Sequence, residues 1–238
     1  MILCLDAGNT RLKWGLHDGA RWCASGALAH QEVAHLAAAL PVRPARILAC
    51  NVAGAAVAAQ IESLAAQLRV PLGWFESSAA CCGVTNGYER PERLGADRWA
   101  ALIGAHHLHQ GAALVVMAGT ATTIDCLDAA GRHRGGVILP GLALMKRALA
   151  RNTANLPDAR GIFRALPTNT DDAIESGCLN ATVGAIERLY RFACRVTGAD
   201  LCCLLSGGAA DRLAPHLELP LKRIDNLVLE GLVRSMLC

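Results

Sequence analysis

The chain has few aromatic residues: Phe, Trp and Tyr make up only 4% of its 238 residues, although 53% of the residues are hydrophobic. Ala, Leu, Val and Ile must therefore fill the core of one large domain or two ordinary ones. No apolar run approaches the length of a membrane span, and no basic run is interleaved with aromatic residues. Because the net charge is only +3, we expect small-molecule partners, no nucleic acid and no membrane.

The sequence also lacks the residue spacings of a metal site. Cys81-Cys82 and Cys202-Cys203 are adjacent pairs, without the two intervening residues that let both thiolates reach one metal ion. We interpret both pairs as small core residues. Three histidines that lack the i, i+4 spacing of a helical metal pair are interpreted as the polar end of a helix: His106, His107 and His109.

The cysteine count argues against a framework of disulfides. Eleven is an odd number, which leaves at least one thiol without a partner. The chain also opens directly on a strand pattern, without the charged region and cleavage site of a secretory signal. A reducing, cytoplasmic environment is therefore expected for this protein.

Two stretches of the chain share a pattern of strand, small-residue turn and strand. They cover residues 2–16 and 114–127, and an apolar run bounded by glycine is typical of a core strand that enters a tight hairpin. Gly8 and Gly119 would let backbone N–H groups approach an anion, and hydroxyl and amide side chains in both turns would add donors. Such turns are common in sheets, but their recurrence favours two duplicated halves that bind phosphate groups.

Strand and helix patterns alternate in the rest of the chain. Strand patterns lie at residues 46–52, 70–75, 135–141 and 201–205. Apolar residues recur at helical spacing in residues 33–40, 57–68, 98–108, 142–149, 172–197 and 225–236. Residues 152–170 are predicted to form a loop. This alternation predicts an α/β protein.

Two segments are open to a structural and a functional interpretation. A charged loop at residues 85–98 runs into a predicted helix, and such loops often carry chemistry. Asp97, near the start of that helix, is either an N-cap, worth ~1 kcal/mol, or a catalytic carboxylate. The glycine turn at residues 206–210 either packs a strand tightly against a helix or lets the backbone approach a flat base or ribose.

Taken in order, these segments resemble the type III pantothenate kinases, a family of the sugar kinase and actin superfamily. The family's opening motif, D-x-G-N-T-x-x-K, stands at residues 6–13, and its long motif, N-x-Y-x-x-P-x-x-L-G-x-D-R, stands at residues 86–98. Shorter matches are G-T-A-x-T-x-D at residues 119–125, G-G-x-I-x-P-G at residues 135–141, Asn169-Thr170 and Ser206-Gly207-Gly208. The resemblance covers nearly the whole chain.

The resemblance implies an α/β fold of duplicated ribonuclease H-like halves, as in actin-like ATPases, with mixed sheets flanked by helices. Residues 1–110 would form the N-terminal half, with the first phosphate hairpin and the catalytic loop. Residues 111–238 would form the C-terminal half, with the second phosphate hairpin and the adenosine-side turn. The resemblance also implies a cytoplasmic homodimer, in which Thr170 completes the substrate pocket of the other subunit.

The implied activity is the ATP-dependent phosphorylation of pantothenate to 4′-phosphopantothenate, the first step of coenzyme A biosynthesis. Asp97 would be the general base, and Asp6 would orient Mg²⁺ through water. The residues that the resemblance assigns to ATP are Asp6, Ala7, Gly8, Asn9, Thr10, Arg11, Leu12, Lys13 and Thr120. Those that it assigns to pantothenate are Tyr88, Gly95, Ala96, Asp97, Arg98 and Thr170.

One position departs from the family. The family's Asp two residues before Gly-Thr-Ala ligates a monovalent cation, K⁺ or NH₄⁺, and Met117 stands there. A thioether is a poor ligand for a hard cation, so the resemblance does not extend to this site. Either the kinase works without the cation, or another oxygen replaces the ligand, or catalysis is lost and the chain is a regulatory factor of the Bvg accessory type. A phosphohydrolase or another sugar kinase would share the hairpins but lack the motif at residues 86–98.

Overall fold

The computed structural model describes residues 1–154, 156–157 and 160–238, which form two compact units. Unit 1 consists of Met1–Gln110, Ala130–His133 and Asn226–Cys238. Unit 2 consists of Gly111–Ala129 and Arg134–Asp225. A single boundary after residue 110 does not separate these units, because Ala130–His133 and Asn226–Cys238 pack with the first unit.

Unit 1 is built on a mixed sheet that follows the order β3-β2-β1-β4-β5. Its strands are β1 (Ile2–Ala7), β2 (Leu12–His17), β3 (Trp22–Leu28), β4 (Arg46–Asn51) and β5 (Leu72–Trp74). β1 pairs antiparallel with β2 and parallel with β4, so the first predicted hairpin is confirmed. A second, small hairpin consists of β6 (Ala80–Cys81) and β7 (Val84–Thr85).

The helices of unit 1 pack along its sheet. The first three in chain order are α1 (Leu36–Ala39), α2 (Ala55–Leu68) and α3 (Ala96–Leu108). Residues 30–35 are a 3-10 helix, so the helix predicted at residues 33–40 contains only one α-helical turn, α1. Leu3 and Leu5 of β1 are fully buried in one core with residues of α2, such as Ile61 and Leu64.

Unit 2 repeats the same sheet order, β10-β9-β8-β11-β12. Its strands are β8 (Ala113–Ala118), β9 (Ala121–Leu127), β10 (His133–Pro140), β11 (Cys202–Ser206) and β12 (Leu221–Arg223), and its helices are α4 (Leu142–Asn152), α5 (Thr170–Thr197) and α6 (Ala210–Leu213). β8 pairs antiparallel with β9 and parallel with β11, which confirms the second hairpin and the expected pair of mixed sheets flanked by helices. The predicted loop at residues 152–170 includes three residues, 155, 158 and 159, that lie outside the described residues.

The last helix, α7 (Leu227–Ser235), returns to unit 1 and packs against α3. Glycines permit this close crossing: a Cβ at Gly231 would collide with the carbonyl oxygen of Ala100, and one at Gly104 would lie 2.5 Å from the carbonyl oxygen of Leu227. The first residues of α3 are also the last residues of the charged loop at residues 85–98. The contact between α3 and α7 therefore holds the end of that loop in place. Among the described residues, none of the helices combines the length and apolar character needed to cross a membrane.

The cysteine pairs do not all behave as predicted. Cys203 is fully buried, as expected for a core residue, whereas Cys81 and Cys202 are only half-buried. Cys82 is bonded to Cys238 in a disulfide, so its interpretation as a core thiol is wrong. The physical reason is its position in the turn of the β6–β7 hairpin, which places its sulfur beside Arg234 of α7 and beside Cys238, which follows that helix.

Candidate active site

Asn86 anchors the charged loop that leads into α3. Its Nδ2 donates hydrogen bonds to the carbonyl oxygens of Ser78 and Pro91, both at 3.1 Å, and its Oδ1 accepts one from the backbone N–H of Tyr88 at 3.1 Å. The residue is buried. Only a carboxamide supplies two donors and an acceptor in this space, so the start of the loop is fixed against its middle.

Arg98 is a buried cation in the first turn of α3, with 4% of its surface exposed. Its Nη1 donates a hydrogen bond to the Tyr88 hydroxyl at 2.7 Å, and its Cζ lies 5.4 Å from the centroid of the same ring. The Tyr88 ring in turn stacks on the His133 ring, with centroids 5.7 Å apart and an interplanar angle of 22°. A guanidinium held in this way presents planar donors suited to a carboxylate or phosphate.

Asp97 is the second residue of α3, and the helix is capped by Gly95. The N-cap interpretation of Asp97 is therefore wrong. Its Oδ1 accepts a hydrogen bond from the backbone N–H of Arg98 at 2.8 Å. A Cβ at Gly95 would lie 2.8 Å from this oxygen, so the glycine leaves room for the carboxylate at the positive end of the helix dipole.

Asp6 is a buried carboxylate near the end of β1. Burial raises its pKa to about 6; the charge of Lys13 opposes this shift, the charge of Asp97 adds to it, and a hydrogen bond from Cys50 opposes it. Lys13 and Cys50 are the direct neighbours of Asp6 on the two adjoining strands. The structure therefore places Asp6 and Asp97 close enough for their charges to interact.

The donor set around Asp6 fits a Mg²⁺ ion. The charges of Asp6 and Asp97 interact, Lys13 offsets part of the charge at Asp6, and hard carboxylate oxygens are the ligands that Mg²⁺ prefers. Among the described residues, no group of three or more His, Cys, Asp or Glu side chains forms a closed metal cage. Mg²⁺ is commonly held by one or two carboxylates together with waters and phosphate oxygens.

The first hairpin turn, residues 8–11, has an open face. A Cβ at Gly8 would meet its nearest heavy atom, the Arg11 carbonyl oxygen, at an ordinary 3.6 Å. Packing within the chain therefore does not require glycine at this position. The side chains of Asn9, Thr10 and Arg11 are exposed, and the Gly8 carbonyl oxygen lies 2.9 Å from Nε2 of His30.

The second hairpin turn is held by the start of α4. The backbone N–H of Gly119 donates to the carbonyl oxygen of Ala121 at 3.0 Å, and that of Gly141 donates to the carbonyl oxygen of Thr120 at 2.9 Å. The Gly119 N–H is thus used within the turn itself. Thr120 is half-buried at its tip.

In the glycine turn after β11, one glycine fits the packing interpretation and the other fits the ligand interpretation. Gly207 has a φ of +102°, and a Cβ there would collide with the backbone of Ala118, so this glycine serves tight packing. A Cβ at Gly208 would meet no heavy atom within 4 Å, so this position stays open for the approach of a ligand. The predicted helix after the turn is short, since α6 ends at Leu213.

Comparison with known proteins decides the family. The model of the type III pantothenate kinases matches residues 2–191. A type III pantothenate kinase of Aromatoleum aromaticum is 54% identical over 234 residues, covering 98% of this chain and 96% of the relative. The chain belongs to the type III pantothenate kinase family. A second member, from Dechloromonas aromatica, is 49% identical over 235 residues, covering 98% and 97% of the two chains.

Solved structures agree with the fold of this family. A conserved putative Baf family transcriptional activator from Campylobacter jejuni has a TM-score of 0.61 at 22% identity, covering 96% of this chain and 94% of that one. A putative 2-dehydro-3-deoxygalactonokinase from Sinorhizobium meliloti has a TM-score of 0.59 at 15% identity, covering 98% and 97%. The fold is that of the sugar kinase and actin-like ATPase superfamily.

Met117 occupies the position in unit 2 that Asp6 occupies in unit 1. Asp6 is flanked on the adjoining strands by Lys13 and Cys50. Met117 is flanked at the same register by Thr123 and Ser206. Both hydroxyl oxygens, Thr123 Oγ1 and Ser206 Oγ, are buried, and neither has a hydrogen-bond partner among the described residues. Compared with the corresponding position in unit 1, a thioether therefore replaces the carboxylate and a threonine replaces the lysine on the antiparallel strand.

Thr170 is the first residue of α5 and is exposed. The helix start is well defined, because the side chain of its N-cap, Asn169, accepts a hydrogen bond from the backbone N–H of Asp172 at 2.9 Å. Thr170 lies in unit 2, whereas the other residues assigned to pantothenate lie together in unit 1.

Sequence reasoning missed three residues that contact or position residues of the candidate site: Asn86, His133 and Cys50. Asn86 was part of the recognised motif but had no assigned role. His133, which stacks on Tyr88, and Cys50, whose thiol lies 3.6 Å from Oδ1 of Asp6, lie far from the motifs they support. Only the strand register, which pairs Asp6 with Cys50, could have pointed to one of them.

A cavity of about 470 Å³ adjoins the start of α3. It is bordered by Leu94 and Ala96 on the α3 side, and by Asn51, Trp74 and Phe75 on the side of the sheet. A cleft of this size is typical of a small-molecule site. The segment that leads into α3 thus borders a space large enough for a small ligand.

Proposed function

We propose that this protein phosphorylates pantothenate with ATP, giving 4′-phosphopantothenate and ADP in the first step of coenzyme A biosynthesis. Its membership of the type III pantothenate kinase family supports the reaction. The observation that carries the assignment to residues is the start of α3, where Asp97 and the buried Arg98 are adjacent and Tyr88 holds the guanidinium. We expect the protein to work in the cytoplasm.

Asp97 acts as the general base. It accepts the proton of the primary hydroxyl of pantothenate while that oxygen attacks the γ-phosphorus of ATP in line, and the bond from phosphorus to the bridging oxygen breaks to release ADP. Phosphoryl transfer depends mainly on positioning and on offsetting charge, so one carboxylate at the reacting hydroxyl suffices. The hydrogen bond from the Arg98 backbone N–H to Oδ1 fixes the orientation of the Asp97 carboxylate at the start of the helix.

Arg98 binds the carboxylate of pantothenate. A guanidinium and a carboxylate form two parallel hydrogen bonds, which fixes the orientation as well as the position of the substrate. Tyr88 preorganises this interaction, because its hydroxyl and its ring both hold the guanidinium in place. Gly95 and Ala96 complete the acceptor side through their backbone at the helix start.

The hairpin turn of unit 1 binds the phosphates of ATP. Residues 6–13 supply its backbone and side chains, and Lys13 adds a positive charge. The family motif assigns Thr120 to ATP as well. Asp6 holds Mg²⁺ through water. When bound, Mg²⁺ offsets negative charge on the phosphate oxygens during transfer.

The protein works as a homodimer in which Thr170 completes the pocket of the other subunit. Exposed apolar side chains shortly before Thr170 support an interface there, because they would otherwise remain in contact with water. They are Ile162, Phe163 and Leu166, with 57%, 37% and 90% of their surface exposed.

A regulatory function is the second candidate. Met117 favours it, because the change removes a carboxylate from a motif that takes part in nucleotide binding in the family. A protein that had lost catalysis could keep its nucleotide site and act through binding. The retention of Asp6, Asp97 and Arg98 favours the kinase.

One assay separates these candidates. Purified protein is incubated with ATP and Mg²⁺, with and without pantothenate, and both ADP and phosphopantothenate are measured, the latter by mass. The kinase predicts pantothenate-dependent ADP release with equal amounts of both products, and no activity for Asp97→Asn. ATP binding without either product would reject the kinase and favour the regulatory function, while ADP release independent of pantothenate would indicate a phosphohydrolase.

A further inference from the structure

Three cysteines meet at the tip of the β6–β7 hairpin. Cys82 lies in the turn and is bonded to Cys238, which follows α7. The Sγ atom of Cys81 lies 3.5 Å from that of Cys82. The proposed phosphoryl transfer uses none of these sulfur atoms.

The hairpin turn holds Cys82 in a defined direction. Both turn residues have left-handed backbones, with φ of +48° at Cys82 and +79° at Gly83, as in the two-residue turns that match the twist of a hairpin. A hydrogen bond of 2.9 Å from the backbone N–H of Asn86 to the carbonyl oxygen of Ala79 closes the hairpin. The turn is therefore mechanically linked to Asn86, the anchor of the charged loop at residues 85–98, which is called the acceptor loop below because of its proposed role.

The other end of the disulfide leads to the opposite end of the same loop. Cys238 follows α7, and α7 packs through Gly231 against Ala100 of α3. α3 carries Asp97 and Arg98 in its first turn. The covalent bond thus connects the element that fixes the start of the acceptor loop with the helix pair that fixes its end.

We propose that Cys82 and Cys238 form a reversible modification site that exchanges with low-molecular-weight thiols and disulfides, and that their bond tightens the acceptor loop. The effect on pantothenate rests on the proposed function, whereas the exchange itself does not. Closing the bond restrains the hairpin against α7, so the acceptor loop has fewer conformations to lose when substrate binds. Opening it weakens substrate binding.

Opening the protein disulfide consumes two equivalents of a small thiol. The first thiolate attacks the exposed sulfur of Cys238, the protein S–S bond breaks, and Cys82 leaves as a thiolate that takes up a proton. A second small thiolate attacks the small-molecule sulfur of the mixed disulfide. It releases Cys238 as a thiol and forms a small disulfide, so the protein gains two electrons and two protons. The reverse sequence closes the bond.

The surroundings favour a reversible bond over a permanent one. Cys238 is exposed and Cys82 is half-buried, so a small thiol can reach the bond. Disulfides that persist in a reducing cytoplasm are rare, and those that form there are mostly transient or redox-sensing. Burial raises the pKa of the neighbouring Cys81 thiol, so Cys81 stays protonated beside Cys82 and does not compete as a nucleophile.

The exchange is tested on the full chain by equilibration in glutathione buffers of graded ratio, acid quenching and counting of thiols after denaturation. The eleven cysteines include nine free thiols in the oxidised structure, so we expect a transition from nine to eleven thiols as the buffer becomes reducing. Peptide mapping should find Cys82 joined to Cys238 at the oxidising end. Eleven thiols at every ratio, or a different pairing, would overturn the proposal.

The effect on the loop is tested by hydrogen exchange and by kinetics on the oxidised and reduced protein. We expect faster amide exchange in residues 84–98 and a several-fold higher KM for pantothenate after reduction, with little change in kcat. Cys238→Ser should show the reduced values in both buffers, whereas Cys81→Ser, the matched control, should respond like the wild type. Equal exchange in both redox states would overturn the proposal even if the protein proved to have a different activity.

Discussion

The Tyr88 hydroxyl accepts a hydrogen bond of 2.7 Å from Nη1 of Arg98, and the Tyr88 ring lies 5.4 Å from the guanidinium carbon. One side chain therefore fixes the guanidinium through two kinds of contact. The position of Tyr88 itself depends on Asn86, which binds its backbone, and on His133, which stacks on its ring. Arg98, the proposed ligand of the pantothenate carboxylate, is thus positioned by residues that need not touch the substrate.

His133→Ala should raise the KM for pantothenate and leave kcat nearly unchanged. Loss of an aromatic pair is worth about 0.5–1.5 kcal/mol, which corresponds to a rise in KM of roughly two- to tenfold. His133→Phe keeps a ring beside Tyr88 and should restore most of the affinity. Steady-state kinetics of both variants provide the measurement, and equal KM values for Ala and Phe would show that stacking does not matter.

Asp97→Asn should fold normally but lose most phosphorylation of pantothenate. The amide keeps the shape of the side chain and cannot accept the substrate proton, and a positioned base contributes ~10²–10⁴-fold in rate. Single-turnover rates with saturating ATP and pantothenate measure the loss, and thermal unfolding checks the fold. Wild-type kcat with unchanged affinity would show that Asp97 is not the base.

The wild-type kinase should show little or no dependence on K⁺ or NH₄⁺, whereas Met117→Asp should require one of them. The wild type lacks the carboxylate that would ligate the cation, so the negative charge and the cation that offsets it are lost together. A carboxylate at the half-buried residue 117 would lie between Thr123 and Ser206 on the adjoining strands, and a partly desolvated charge beside the ATP phosphates is costly unless a cation offsets it.

Rates of both proteins in Na⁺, K⁺ and NH₄⁺ buffers at matched ionic strength test this prediction. Met117→Leu is the control, because it changes the side chain without adding charge. Strong K⁺ activation of the wild type would mean that other oxygens, such as the buried hydroxyls of Thr123 and Ser206, form the cation site.

Mixing two inactive variants should recover activity if the pocket is shared between subunits. Asp97→Asn and Thr170→Tyr each damage a different part of the pocket. A mixed dimer would contain one pocket with both defects and one with neither, so random mixing should restore about one quarter of wild-type activity. Activity is measured after the subunits exchange under mild denaturation. An active monomer in light scattering at assay concentration, or no recovery on mixing, would contradict the shared pocket.

Gly231→Ala should destabilise the protein because the new methyl group would collide with the Ala100 carbonyl oxygen. Overpacking of this kind typically costs about 1–3 kcal/mol, measured as a loss in the free energy of unfolding by urea. Gly184→Ala in α5 is the control. A Cβ there meets no atom within 4 Å, so the substitution should stabilise the helix by up to about 1 kcal/mol. Equal effects of the two substitutions would show that the crossing tolerates a side chain.

Local sequence patterns predicted the elements of the fold better than their long-range contacts. Both hairpins and the alternation of strands and helices follow from apolar runs and glycine positions, which act over a few residues. The return of residues 226–238 to unit 1 has no such signal, because the helix pattern records an apolar face and not the surface that buries it. The bond between Cys82 and Cys238 joins residues 156 positions apart and was invisible for the same reason.

For the candidate site, the sequence likewise predicted the position of the main residues but not of the residues that support them. Motif spacing located the start of α3 and therefore Asp97 and Arg98, although the cap proved to be Gly95. The support of these residues was not predictable, since His133 reaches Tyr88 from a segment 45 positions away in the chain. Roles for individual residues in binding ATP and pantothenate remain predictions that the proposed variants test.

The hydrogen bonds of Asn86 also affect how long the protein stays chemically intact. Asn86 precedes Gly87, and an asparagine before glycine loses ammonia readily, because the next backbone nitrogen can attack its side-chain carbonyl carbon. In the folded chain, bonds to Ser78, Pro91 and Tyr88 hold the amide in place. If the loop opens and deamidation follows, the new carboxylate has no donors for the two carbonyl oxygens it would face. Ageing of stored protein should therefore begin in the acceptor loop, at a rate set by how often that loop opens.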